Sequence, residues 1–298
     1  MYREIGTKIM SNILNPWTNI SWNNTIADCD KGYPVKIGKQ EFKFGSEEYV
    51  DYINKKDKER KEKGIRPTKL TFDNCLPEPY FGDKNSEVYL LNMNPGEPDP
   101  DFNCTNDEKN GKYVQYCKNM LVHNNIEPGL LFNNKDCDII YDPEQYSRII
   151  NDILENNRIK DFQENKNNKD IFPLRPHVGD VWQMIAWKKL REYLKRDPRL
   201  FIIEFFPYHS TSGFAFPKNL PSNAYRNELI KQAIDKGKLI VIMRQASKWY
   251  KIKEDNLGEK LEKYPNKISL RCKGRIWLTP GNSVIPPHMS LADVLNKF

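Results

Sequence analysis

Long hydrophobic runs are missing from this 298-residue chain. Nothing approaches the roughly 20 apolar residues needed to cross a bilayer. The amino terminus, Met1-Tyr-Arg-Glu, also lacks the apolar segment of a secretory leader. The expectation is a cytoplasmic protein without a membrane partner. Cysteine is sparse and unpatterned: Cys29, Cys75, Cys104, Cys117, Cys137 and Cys272 include no Cys-x-x-Cys pair, which argues against a zinc ribbon or an iron–sulfur cluster. In that compartment they are expected to be reduced thiols. Histidine is scarcer still, and His123 and His177 show no metal-like spacing with any Cys or His. No metal and no cofactor is expected, and no internal repeat is visible.

What the chain does have is charge. Charged residues make up 29% against 38% hydrophobic, which gives a strongly polar surface. The net charge of +7 favours polyanionic partners, nucleic acid among them. The length suits one large α/β domain with an appendage. Residues 1–75, rich in Asn, Lys, Trp and Tyr, read as an N-terminal extension packing on a core domain of residues 76–298. The extension holds one charged helix, Ser46 to Lys63, ending at Gly64. Its lysines and arginine from Lys55 to Lys63 alternate with acids, as on a solvated face with ion pairs; a phosphate-tracking face is the alternative.

Four short apolar runs have the content of buried strands: Val88–Leu91, Leu200–Phe206, Lys238–Met243 and Arg275–Thr279. Helical patterns at 178–195 and 222–236 separate them, with further helices near 112–124 and 144–154 and an exposed loop at 156–170. Alternation of strands and helices predicts a three-layer α/β/α sandwich with a four-stranded, mainly parallel sheet. In such a sheet the carboxyl ends of all strands share one edge, where ligands bind. The first strand ends in Asn92, Asn94, Pro95 and Gly96, and the second in Glu204 followed by Phe206, Pro207, Tyr208, His209 and Ser210. The third ends in Arg244 and Gln245, and the fourth in Pro280, Gly281, Asn282 and Ser283. These polar groups converge although they are far apart in sequence.

This set of strand ends resembles the uracil-DNA glycosylase superfamily. The likeness is to the branches whose first motif is Gly-x-Asn-Pro-Gly, with Asn92 standing where that motif has its leading Gly. Leu76-Pro-Glu-Pro-Tyr-Phe-Gly-Asp before Leu-Asn-Met-Asn-Pro-Gly, with Phe-Pro-Tyr-His-Ser and Pro-Gly-Asn, is similar to a bacterial branch of that superfamily. The resemblance spans about residues 76–298. It implies a DNA base N-glycosylase, in which Asn94 positions the water that attacks C1′ of the sugar of a flipped nucleotide. Gly96 stands where some branches carry a bulky aromatic, which widens the pocket. His209 is placed to stabilise the departing base; His288 is the other candidate for that role.

Glu204 falls where the family has an Asn that reads the base edge. An ionised Glu only accepts hydrogen bonds, so it suits an amino-bearing or modified base and opposes the carbonyls of uracil; a protonated Glu would donate. Phe102 or Phe206 would stack on the base. Arg244, a cation at the end of a buried strand, calls for a partner or a phosphate. Each assignment has a structural counterpart. Asn94 would be a turn cap, Glu204 a carboxylate paired with Arg244, the aromatics core residues, and His209 a cap. Glu97, Asp99 and Asp101 follow Gly96 without the loop geometry of a calcium site, and they would repel a phosphate backbone. A non-catalytic nucleotide or nucleic-acid binding module and a hydrolase of a free nucleoside derivative therefore stand as alternatives.

Overall fold

The computed structural model describes residues 13–20, 25–65, 70–72, 76–82, 84–95, 189–196, 198–210, 217, 219–271 and 278–298. Within these, β1 (Pro34–Ile37) and β2 (Gln40–Lys43) form a hairpin, followed by the helix Glu47–Glu62. Ser46 caps that helix by accepting the Tyr49 N–H, acidic residues occupy its first turn and basic ones its last, and Gly64 at φ +67 ends it. Only Tyr49 and Ile53 are buried along it, so the Lys-rich half is a solvated face, with Lys56 on Glu59 at 2.7 Å.

Next come β3 (Leu70–Thr71), β4 (Tyr80–Gly82) and β5 (Val88–Asn92). They are followed by a helical stretch at 189–194, β6 (Leu200–Glu204) and β7 (His209–Ser210). The helix Asn223–Asp235 leads to β8 (Leu239–Ile242), and the helices Ala246–Trp249 and Leu257–Lys263 lead to β9 (Lys267–Leu270). β10 (Ser283–Val284) and the helix Leu291–Leu295 complete the described elements. The main sheet has six strands in the order β10-β9-β8-β5-β6-β4. β6, β5, β8 and β9 are parallel, with β10 and β4 antiparallel at the two edges.

β5, β6 and β8 are continuous apolar runs because both faces are covered. Tyr89, Leu91, Phe201, Ile203, Ile240 and Ile242 face one cluster, which includes Leu229 and Ile230 of the following helix and Tyr49, Phe44 and Phe72 from the first 75 residues. Val88, Leu90, Leu200, Ile202, Leu239 and Val241 face the other, with Leu190, Val294 and Leu295. The two sets alternate along each strand, as the pleat requires.

The expected four-strand sheet is thus a six-strand one, and its fourth parallel strand is Lys267–Leu270 rather than Arg275–Thr279. Leu278 and Thr279 are outside any strand, and 275–277 lie outside the described residues. The expected features at 112–124, 144–154 and 156–170, most of the helix from 178, the acidic loop, and every cysteine but Cys29 also lie outside them. Cys29 is a free, exposed thiol. Among the described residues no helix is long and apolar enough to cross a membrane.

Beyond the packing of Phe44, Tyr49 and Phe72 and the pairing of β3 with β7, one buried carboxylate ties the first 75 residues to the core. Asp30 accepts from the Tyr208 hydroxyl at 2.8 Å and from Ser222 through both its amide (2.9 Å) and hydroxyl (2.6 Å). The same Tyr208 oxygen accepts the Ala27 N–H at 3.2 Å. Burial pushes the Asp30 carboxyl up, while these donors pull it back toward the charged form.

Candidate functional site

β5 connects onward to β6 on one side, and β8 lies on its other side, so the strand order reverses beside β5. In open α/β sheets the crevice beyond the carboxyl ends at such a reversal is the usual ligand site. Met93 and Asn94 leave β5 at this point. Arg244 and Gln245 leave β8 beside them, with Gln245 in the left-handed region at φ 49, a conformation uncommon for a residue with a side chain.

The ends of β5 and β6 stay tied beyond the regular ladder. Phe205 N–H donates to Asn92 O at 3.2 Å and Phe206 N–H to Met93 O at 2.9 Å. Asn94 is half-buried, and its side-chain nitrogen donates to the Ser210 carbonyl at 2.6 Å and lies 3.3 Å from the Ser210 hydroxyl. The amide nitrogen of Asn94 thereby faces β7. Pro95, buried, fixes the backbone that follows.

Asn92 and Glu204 occupy paired positions of β5 and β6, and Asn92 Nδ2 donates to Glu204 Oε1 at 3.2 Å. Glu204 Oε2 is buried without a hydrogen-bond partner among the described residues. Burial lifts the Glu204 carboxyl to about 8, with the charge of Glu78 adding to the rise and Asn92, Arg244 and His209 opposing it. The shift favours the protonated acid at neutral pH. In the structural alternative Glu204 pairs with Arg244; the hydrogen bond comes from Asn92, since β5 lies between β6 and β8, and Arg244 acts on Glu204 through its charge.

His209 is buried, with Nε2 3.3 Å from Glu78 Oε1. It lies in β7, rather than on an open loop, and its contact joins that strand to the segment before β4. Glu78 itself is held by backbone bonds to the second strand's loop: its N–H donates to Pro207 O at 2.8 Å, and Glu204 N–H donates to Pro79 O at 2.9 Å. Glu78 is the member of this site that sequence reasoning passed over; its flanking prolines, Pro77 and Pro79, were the available signal.

Two aromatic assignments change. Phe206 and Tyr208 are almost fully buried and stack edge-on with each other at 5.5 Å and against Phe44. The Tyr208 hydroxyl is spent on Asp30 and Ala27. Both rings belong to the core beneath the site. Gly96 and Phe102 lie outside the described residues.

Gly281 and Asn282 form a turn that precedes β10 instead of following a strand, with Asn282 N–H on Thr279 O at 3.0 Å. Ser283 pairs with Leu270, so this turn does sit at the carboxyl edge. It is three strand spacings from β5, about 14 Å. His288, at φ 65 and exposed, follows β10. Among the described residues no three His, Cys, Asp or Glu side chains gather as a metal site. No family model, curated protein or solved structure matches the chain.

Proposed function

We propose that the chain is a base N-glycosylase that hydrolyses the N-glycosidic bond of a flipped nucleotide in DNA, with Asn94 positioning the attacking water. The observation that carries this reading is the way Asn94 is held. Ser210 holds the amide nitrogen, and in this reading the amide oxygen is the acceptor offered to a water at the strand reversal. An acceptor fixed there aligns a water O–H and points the water's lone pair at C1′. The reaction then needs little more from the protein than orientation and a place for the negative charge of the leaving base.

Glu204 supplies the polar wall of the pocket in this reading. As an acid it carries an O–H donor and a carbonyl acceptor side by side. Asn92 on Oε1 marks that oxygen as the acceptor and leaves the proton to Oε2. A buried donor without an acceptor costs about 1–3 kcal/mol, which a ring nitrogen or carbonyl of a bound base would recover. The objection to carbonyl-bearing bases applied to an ionised Glu204. With the carboxyl at about 8, amino- and oxo-bearing edges are both compatible at neutral pH.

The test is a base-release assay over duplex and single-stranded oligonucleotides carrying uracil, deaminated, methylated and other modified bases, comparing the wild type with Asn94→Ala. The expected result is an abasic product from at least one substrate that disappears in the variant. Product formed equally by both, or by neither on any substrate, overturns the reading.

A further inference from the structure

A second cavity opens on the sheet face opposite the Asn92 and Glu204 side chains. It is a cleft of about 1220 Å³ between Phe205, the start of the helix Asn223–Asp235, and the segment from Lys248 to Asn256. Its volume is enough for one nucleotide-sized ligand.

The floor of the cleft is a buried cation. Arg226 is 7% exposed and donates to Phe205 O at 2.5 Å, to Asn223 Oδ1 at 3.1 Å and to Asn227 Oδ1 at 2.8 Å. Its guanidinium also lies over the Phe205 and Trp249 rings, at 4.6 and 5.6 Å. These neighbours satisfy its donors, but all are neutral. Burial disfavours the charged form, and the charge of Glu254 on the rim opposes that effect.

The rim adds Lys248, Lys251 and Lys253 against Glu254 and Glu259. Both acids are already engaged: Glu254 with Asn227 at 2.6 Å and Lys231 at 3.8 Å, and Glu259 with Lys263 at 2.5 Å. The cleft therefore carries an excess of positive charge beside an apolar wall of Leu220, Pro221, Tyr250 and Ile252.

We propose that this cleft binds a free nucleoside phosphate, with the phosphates on the lysine rim above the charge of Arg226, and the base against Tyr250 and its apolar neighbours. The ammonium groups of Lys251 and Lys253, both exposed, suit phosphate oxygens, and apolar walls with four asparagines, Asn219, Asn223, Asn227 and Asn256, suit a base and its sugar. Glu254 and Glu259 on the same rim disfavour a polymer whose backbone would continue past them. This site is independent of the chemistry assigned to Asn94.

Isothermal titration of the full chain with ATP, GTP, CTP and UTP, and separately with inorganic triphosphate and a single-stranded decanucleotide, tests the assignment. At least one nucleoside triphosphate is expected to bind more tightly than inorganic triphosphate. The exposed double variant Lys251→Glu, Lys253→Glu should weaken it by about tenfold or more. Lys39→Glu with Lys43→Glu, on the β1–β2 hairpin, should leave it unchanged. No binding of any nucleotide up to about 1 mM, equal losses in both double variants, or preferential binding of the decanucleotide through Lys251 and Lys253 overturns the proposal.

Discussion

Asn92 and Glu204 face each other at paired positions of adjacent parallel strands, and the amide of the first donates to the carboxyl of the second at 3.2 Å. Register alone brings them together. Because the pleat alternates, a slip of one residue would turn one side chain to the opposite face and break the contact. The pair is thus fixed by the same Val88–Leu91 and Leu200–Ile203 packing that builds the core.

The pH dependence of stability should report this pair. Glu204 titrates near 4.5 when unfolded and at about 8 when folded. Between those values the native chain holds a proton that the unfolded chain has released. Its stabilisation is full below about pH 4.5, falls as pH rises, and levels off above about 8, a change on the order of 5 kcal/mol at most. Glu204→Gln keeps the shape and removes the titration. Urea unfolding from pH 5 to 9 should show the variant gaining on the wild type up to about pH 8 and holding that gain above it; a constant difference between the two would sink the assignment.

Asn94→Ala is expected to abolish base release by on the order of 100-fold or more, since a mispositioned nucleophile costs about that much. Ser210→Ala should cost no more than about threefold, because the shorter contact of Asn94 is to the Ser210 backbone carbonyl, which the substitution leaves in place. Single-turnover kinetics on the best substrate separate the two variants. A large loss in Ser210→Ala would instead assign the anchoring to the hydroxyl.

Tyr208→Phe removes one hydroxyl that both donates to Asp30 and accepts from Ala27. Leaving those buried groups short of a partner should cost about 1–3 kcal/mol of unfolding free energy. Equilibrium denaturation measures it, and an unchanged midpoint would show that the Asp30 node contributes nothing.

Gly82 ends β4 at φ +97, and a Cβ there would sit 2.3 Å from the Leu200 carbonyl oxygen. Backbone meets backbone at that point, so no side chain can swing aside. Gly82→Ala should destabilise the chain by about 1–3 kcal/mol, read from the same denaturant titration. Wild-type stability in that variant would mean that the edge strand yields freely.

The three strands legible in the sequence, Val88–Asn92, Leu200–Glu204 and Leu239–Ile242, are the ones buried on both faces, where an unbroken apolar run is the physical requirement. Lys267-Ile-Ser-Leu escaped notice because it is four residues long with a polar residue at every second position, although Ser269 is itself buried. Tyr80–Gly82 and Ser283–Val284 are edge pieces of three and two residues, too short for any periodicity. At the candidate site the positions of Asn94, Glu204 and Arg244 followed from strand ends. The partners of Asn94, Glu204 and His209 did not: Ser210, Asn92 and Glu78 are chosen by sheet order and loop path, which local pattern does not encode. The aromatic character of Phe206 and Tyr208 suggested stacking on a ligand, but whether a ring beside a strand end faces outward or inward depends on what else packs there, here Phe44 and Phe72.

The bond between Asp30 and Ser222 spans 192 positions of chain. Contacts of that separation form late and slow the search for the native state. During synthesis at about 5–20 residues per second, Asp30 waits roughly 10–40 s on the ribosome before Ser222 exists. Through that interval the aromatic side chains around Phe44 and Tyr49 have no Phe206 or Tyr208 to close upon, so the early part of this chain waits with its apolar face uncovered.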